Sequence, residues 1–229
     1  MVSGLPQYFD LGDVHTNEDV VKVLADAELA FPTGSKFEYS NTDYNLLATL
    51  VGRASNTSFA DFVGSNIFAP LGMKDSYILM KKERTPNRVR GYKVSGSKIA
   101  LDEDDTPGIV GDGSAISTAG DLIKYEQALR SGDIDESVVG VWLQAGPKKN
   151  EDGEPYAMGW RLSSLDGHDR VIHNGAWNGT STCMARYKDG LTVIVLLNVA
   201  DGGPKAWPTR WRACSSSDSW FQTHGYGYG

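Results

Sequence analysis

Residues 156–199 read YAMGWRLSSLDGHDRVIHNGAWNGTSTCMARYKDGLTVIVLLNV. Apolar and polar residues interchange in four runs, Tyr156–Leu162, Arg170–His173, Thr182–Tyr187 and Thr192–Val199, as half-buried strands require. Asp166-Gly167 and Asp189-Gly190 fall between runs and are dipeptides that close tight hairpins. An antiparallel meander is predicted. Upstream the period changes. Val20, Val23, Leu24 and Ala27 share one side of a helix over 17–27 with Asn17 as its N-cap. Leu47, Leu50, Val51 and Ala54 recur at three- and four-residue steps and predict the core face of a helix over 42–54. Phe59, Phe62 and Val63 mark a helix over 58–68 that stops at Pro70 and Gly72. A fourth helix is expected over 118–129, with Thr118 and Asp121 at capping-box spacing and Leu122, Tyr125 and Leu129 turned inward. Helices first and strands after predict an α+β plan, with a mainly helical region over 10–130 and antiparallel strands over 150–204.

The chain has 229 residues and a net charge of -7, which argues against nucleic acid as a partner because neutralising phosphate needs a basic face. Its longest apolar run, Val193–Leu197, is too short to cross a bilayer. Met1 leads straight into Val-Ser-Gly-Leu-Pro, which does not resemble a signal peptide, so localisation stays open. Two cysteines make no disulfide framework, and the pattern favours a buried Cys183 with an incidental Cys214. No metal or cofactor is expected. His15, His168, His173 and His224 lack ligand spacing, and the acidic run Asp102–Asp105 lacks the alternation of a calcium loop and reads as a solvated turn.

Two short constellations carry chemistry. In Tyr39-Ser40-Asn41 a phenol and a carboxamide flank a helix start, where the phenol can relay a proton and the carboxamide can hold a substrate amide. Taken alone, the same string also reads as a helix cap beside a core tyrosine. In His173-Asn174-Gly175-Ala176, expected at the end of a strand, Gly175 lets a substrate lie against the strand edge. The Ala176 N–H is then free to meet a developing oxyanion, with His173 supplying a hydrogen bond or a positive charge beside it. By itself this string also reads as a turn.

Six segments in order resemble the serine hydrolases that include class C β-lactamases, D-alanyl-D-alanine carboxypeptidases and related esterases. They are Ser3-Gly4-Leu5-Pro6, Phe37 through Tyr44, Gly52-Arg53-Ala54-Ser55, Ile67 through Met73, Ser117 through Leu122, and His173-Asn174-Gly175. The resemblance spans Ser3 to about Asn198 and implies a β-lactamase/transpeptidase-like fold, an antiparallel sheet flanked by helices. It also implies three catalytic elements: Ser-x-x-Lys, Tyr-x-Asn, and Lys- or His-x-Gly. Tyr39 and His173 become candidate catalytic residues, and Asn41, Asn174, Gly175 and Ala176 candidate substrate-binding residues. Tyr39 is expected across a cleft from His173. The implied reaction passes through an acyl-enzyme on a β-lactam, D-amino-acid peptide or small ester.

The Ser-x-x-Lys segment should precede Ser3, so the N-terminal part of the fold is expected to be missing, with exposed apolar surface and poor solubility as consequences. The one such string in the chain, Ser95-Gly96-Ser97-Lys98, follows Tyr39 against the family order. It lacks the apolar helical pattern that would set serine and lysine one turn apart, and reads as a surface turn. A chain of this kind is expected to be inactive alone, open to complementation by an N-terminal segment. The alternative is a non-catalytic relative that binds peptide or cell-wall fragments. Family members are often periplasmic or secreted. Residues 1–204 make up the partial hydrolase domain. The tail, 205–229, has no Leu, Ile, Val or Met and three of the six tryptophans, and reads as frame-shifted or as disordered.

Overall fold

The computed structural model describes residues 1–80, 87–95, 97–103, 108–134, 149 and 155–200. The tail from 205 lies outside them. The chain forms two compact units, residues 1–85 with 105–128, and residues 86–104 with 129–229.

The first unit holds helices α1 (Asn17–Ala25), α2 (Asn41–Ser55) and α3 (Phe59–Val63), and most of α4 (Ala119–Ser131), with a two-stranded ribbon of β1 (Tyr77–Ile78) and β4 (Ala115–Ile116). A π-helical turn, Gly64–Phe68, continues α3. Caps set the starts: Thr16, Ser40 and Ser58 each accept a hydrogen bond from the backbone N–H three residues on. Thr118 Oγ1 likewise accepts from Asp121 N–H at 3.1 Å, as its spacing predicts. At α1 the cap is Thr16, one residue before the expected Asn17. The Asn17 side chain instead accepts from Val110 N–H and donates toward Asn45 O, Thr49 Oγ1 and Val110 O.

α2 reverses its expected face. Leu47 and Leu50 are 52% and 59% exposed, whereas Thr42, Asn45, Ala48 and Thr49 are buried. Small and polar residues let backbone come close here. Thr42 Oγ1 donates to Pro6 O and accepts from Tyr8 N–H, and Asn45 Nδ2 donates to Val110 O. A Cβ on Gly111 would lie 2.5 Å from the Ala48 Cβ, so no larger side chain fits that contact. Apolar periodicity identifies a face but not which face finds partners.

The second unit is built on a five-stranded antiparallel sheet, β5-β6-β7-β8-β9, formed by Tyr156–Ala157, Trp160–Leu165, His168–Trp177, Thr180–Tyr187 and Thr192–Leu197. A smaller sheet runs β10-β2-β3, with β2 (Tyr92–Ser95) antiparallel to β3 (Lys98–Leu101) and parallel to β10 (Val199–Ala200). The architecture is therefore mixed α+β with antiparallel sheets, as predicted. The first expected strand is split by a turn at Met158-Gly159, and the second runs on to Trp177. The sheet core is legible from register: Ile172, Ala185 and Val193 stand in one row, and Asn174, Cys183 and Val195 in the next. Cys183 is buried, as expected, and Cys214 lies outside the described residues. In the last turn of α4, Arg130 donates to Tyr187 O and Thr192 Oγ1, tying the helix end to the β8–β9 hairpin.

Ser95 and Lys98 face each other across the β2–β3 hairpin. The only Ser-x-x-Lys string is thus a hairpin end and not a helix, as its sequence context predicts.

Candidate functional site

Tyr39, Ser40 and Asn41 enter α2 from an extended segment. Ser40 is buried and accepts from Asp43 N–H at 3.0 Å, which starts the helix and leaves residues 39 and 41 on either side of the cap. The Gln7 carboxamide clamps both. Its Nε2 donates to Tyr39 O at 2.8 Å and its Oε1 accepts from Asn41 N–H at 3.1 Å. Ser3 Oγ donates to Asp43 Oδ1 at 2.6 Å, so the Ser3–Gln7 segment brackets the helix start. Gly4 makes this possible: its φ is +81°, and a Cβ would collide with Phe31 O. Tyr39 and Asn41 are both half-buried. Gln7 escaped the sequence reading, although it directly follows Ser3-Gly4-Leu5-Pro6.

The second group sits in the second unit. His173-Asn174-Gly175-Ala176 lies inside β7 and not at its end, a correction to the sequence expectation. Trp177 and Thr180 pair across the two-residue loop Asn178-Gly179, so they form a hydrogen-bonded pair. Counting back in twos, Gly175 and His173 turn their backbone groups to β8, and Ala176 turns its N–H to the β6 side. There the ladder ends at Ile172, paired with Arg161. The Ala176 N–H therefore points to an edge that no described strand covers. Gly175 is exposed, and a Cβ on it would lie 2.5 Å from Thr182 Oγ1.

Side chains alternate with the backbone. His173 lies on the face opposite Ile172. Asn174 turns inward beside Cys183 and is buried, so its side chain belongs to the core row and not with His173. The His173 ring is half-buried, with Nε2 3.1 Å from the Tyr156 hydroxyl. Burial, helped by the Arg161 guanidinium, lowers its pKa from 6.5 to about 4, against a smaller opposing pull from the Asn174 backbone. A pKa lowered this far favours the neutral imidazole at pH 7, which suits the hydrogen-bonding role expected of it rather than the charged one. Tyr156 and Arg161 carried no functional signal in the sequence, where both read as strand residues. Among the described residues no group of three His, Cys, Asp or Glu is placed to hold a metal ion.

A profile of the beta-lactamase family matches residues 1–213. The chain belongs to this family. Penicillin-binding protein 4* of Bacillus subtilis is 32% identical over 221 residues, covering 86% of this chain and 49% of that protein. A D-aminopeptidase of Brucella anthropi is 26% identical, covering 83% of this chain and 39% of that protein. The chain thus spans half or less of the length of these curated relatives. A penicillin-binding protein structure from Bacillus halodurans superposes with a TM-score of 0.75 at 24% identity, over 88% of this chain and 66% of that one, which shows the shared β-lactamase/transpeptidase-type fold. No helix among the described residues is long and apolar enough to cross a membrane.

Proposed function

We propose that this beta-lactamase family chain carries the proton-relay and substrate-holding elements of a serine acyl-transfer enzyme acting on a β-lactam, a D-amino-acid peptide or a small ester. The observation that carries the reading is the held Tyr39-Ser40-Asn41 turn together with a β7 strand whose Ala176 N–H faces an uncovered edge. In this reading Tyr39 passes a proton between the nucleophile and the leaving group, and Asn41 hydrogen-bonds the substrate amide. Gly175 lets the substrate lie along β7, the Ala176 N–H receives the oxyanion, and neutral His173 adds a hydrogen bond beside it. Asn174 acts from the core face as support. A penicillin-binding protein and a D-aminopeptidase among the relatives favour a carbonyl next to a D-centre as the point of attack.

Ser95–Lys98, the Ser-x-x-Lys string of this chain, is a hairpin end and is not part of this reading. The test is acylation by a fluorescent penicillin and by a D-alanyl anilide in the full gene product. Tyr39→Phe should slow acylation by about 100-fold or more, with KM little changed. Undiminished acylation in Tyr39→Phe would sink the reading.

A further inference from the structure

The β3 edge stands apart from the groups just described. Among the described residues its one strand neighbour is β2. Asp102 N–H donates to Gly91 O at 3.0 Å, so even-numbered backbone groups on this strand face β2. Those of Ile99 and Leu101 face outward. All four β3 residues are exposed, Ile99 at 71% and Leu101 at 47%. Register places Ile99 opposite Val94 and Leu101 opposite Tyr92, so one face of the hairpin is apolar up to its rim. An edge with apolar side chains and no neighbour among the described strands is a template for another strand.

We propose that this edge pairs with the same edge of a second copy of the chain, antiparallel, about a two-fold axis at Ala100. The sequence Lys98-Ile99-Ala100-Leu101-Asp102 is self-complementary in that register. Ile99 meets Leu101 of the second copy on the apolar face, through the outward backbone groups of both. Lys98 meets Asp102 of the second copy on the other face. The Asp102 carboxylate is held in place, Oδ2 accepting from Gly179 N–H at 2.9 Å and Oδ1 lying 3.7 Å from Lys93 Nζ, so Lys98 of the second copy would meet a carboxylate already fixed beside one cation. A slip of one residue would set the apolar side chains against the charged face. A slip of two puts Ile99 opposite Glu103 or itself, and removes the Lys98–Asp102 pair. An edge of this length buries less than a permanent dimer needs, so the association is a concentration-dependent equilibrium.

The axis makes the two Ala100 residues a non-hydrogen-bonded pair with Cα atoms about 4.5 Å apart, within the range a disulfide spans. Ala100→Cys should therefore cross-link into a dimer under mild oxidation, while Val89→Cys, on a residue 67% exposed but off the edge, should not. In sedimentation velocity the wild-type chain should gain mass with concentration. Ile99→Lys should weaken that association by about tenfold or more without changing the circular dichroism. Equal cross-linking of Ala100→Cys and Val89→Cys, or association untouched by Ile99→Lys, would overturn the proposal. So would a strictly monomeric wild type across the concentration range.

Discussion

The start of α2 and the middle of β7 both present candidate functional residues, but they are held by different means. Tyr39 and Asn41 are positioned by side chains reaching the backbone: a Ser40 cap, a Gln7 clamp and a Thr42 bridge to Pro6 and Tyr8. His173 through Ala176 are positioned by a ladder whose register is locked by an apolar row on the opposite face. The first is a sum of separable hydrogen bonds, each worth about 1 kcal/mol. The second is cooperative, because a slipped strand would bury His173 and expose Ile172 together.

The largest way to break the second region while sparing the first is Ile172→Ala. It should lower stability by about 2–5 kcal/mol in urea unfolding, and the His173 and Ala176 amide resonances should broaden with it. Gln7→Ala strikes the first region alone. Both clamp bonds are lost, for about 1–3 kcal/mol, with amide shifts at Tyr39 and Asn41 and none at His173; a quiet Tyr39–Asn41 would refute the clamp. A smaller effect separates the regions by pH. The unfolded chain takes up the His173 proton near 6.5 and the folded chain only near 4. Stability from this group is therefore complete above pH 6.5 and is lost as pH falls toward about 4. The half-buried Asp112 carboxyl, its pKa raised by desolvation and opposed by its bond to Tyr8, acts with the opposite sign. The difference between wild type and His173→Gln isolates the histidine: it should shift steadily between pH 6.5 and about 4 and be constant on either side of that window. Ser40→Ala should be the mildest, at about 1 kcal/mol of cap energy in the same urea assay.

The contrast also explains what the sequence disclosed. The meander was legible because strands alternate and Asp-Gly turns punctuate them. Its boundaries were not, since Asn174 through Trp177 look like a turn until the hairpin at Asn178-Gly179 is seen to continue the pairing. The helices α1 and α2 were visible from their period and α4 from its period and cap, although the α1 cap is Thr16 and not the expected Asn17. The buried face of α2 was not, because Thr42, Asn45 and Thr49 pack through hydrogen bonds to loops distant in sequence. Tyr39 and His173 stood out as motif residues. Gln7, Tyr156 and Arg161 act only through where the fold brings them, and no local pattern announces that. Family membership was readable because it rests on six ordered segments and not on one motif.

The most direct test of the functional account is covalent labelling of the 229-residue chain itself. Incubated with a fluorescent penicillin and read by intact mass, it should carry no adduct, since its one Ser-x-x-Lys string is a hairpin with Ser95 opposite Lys98. A stoichiometric penicilloyl adduct on any serine of this chain, Ser95 included, would contradict the account.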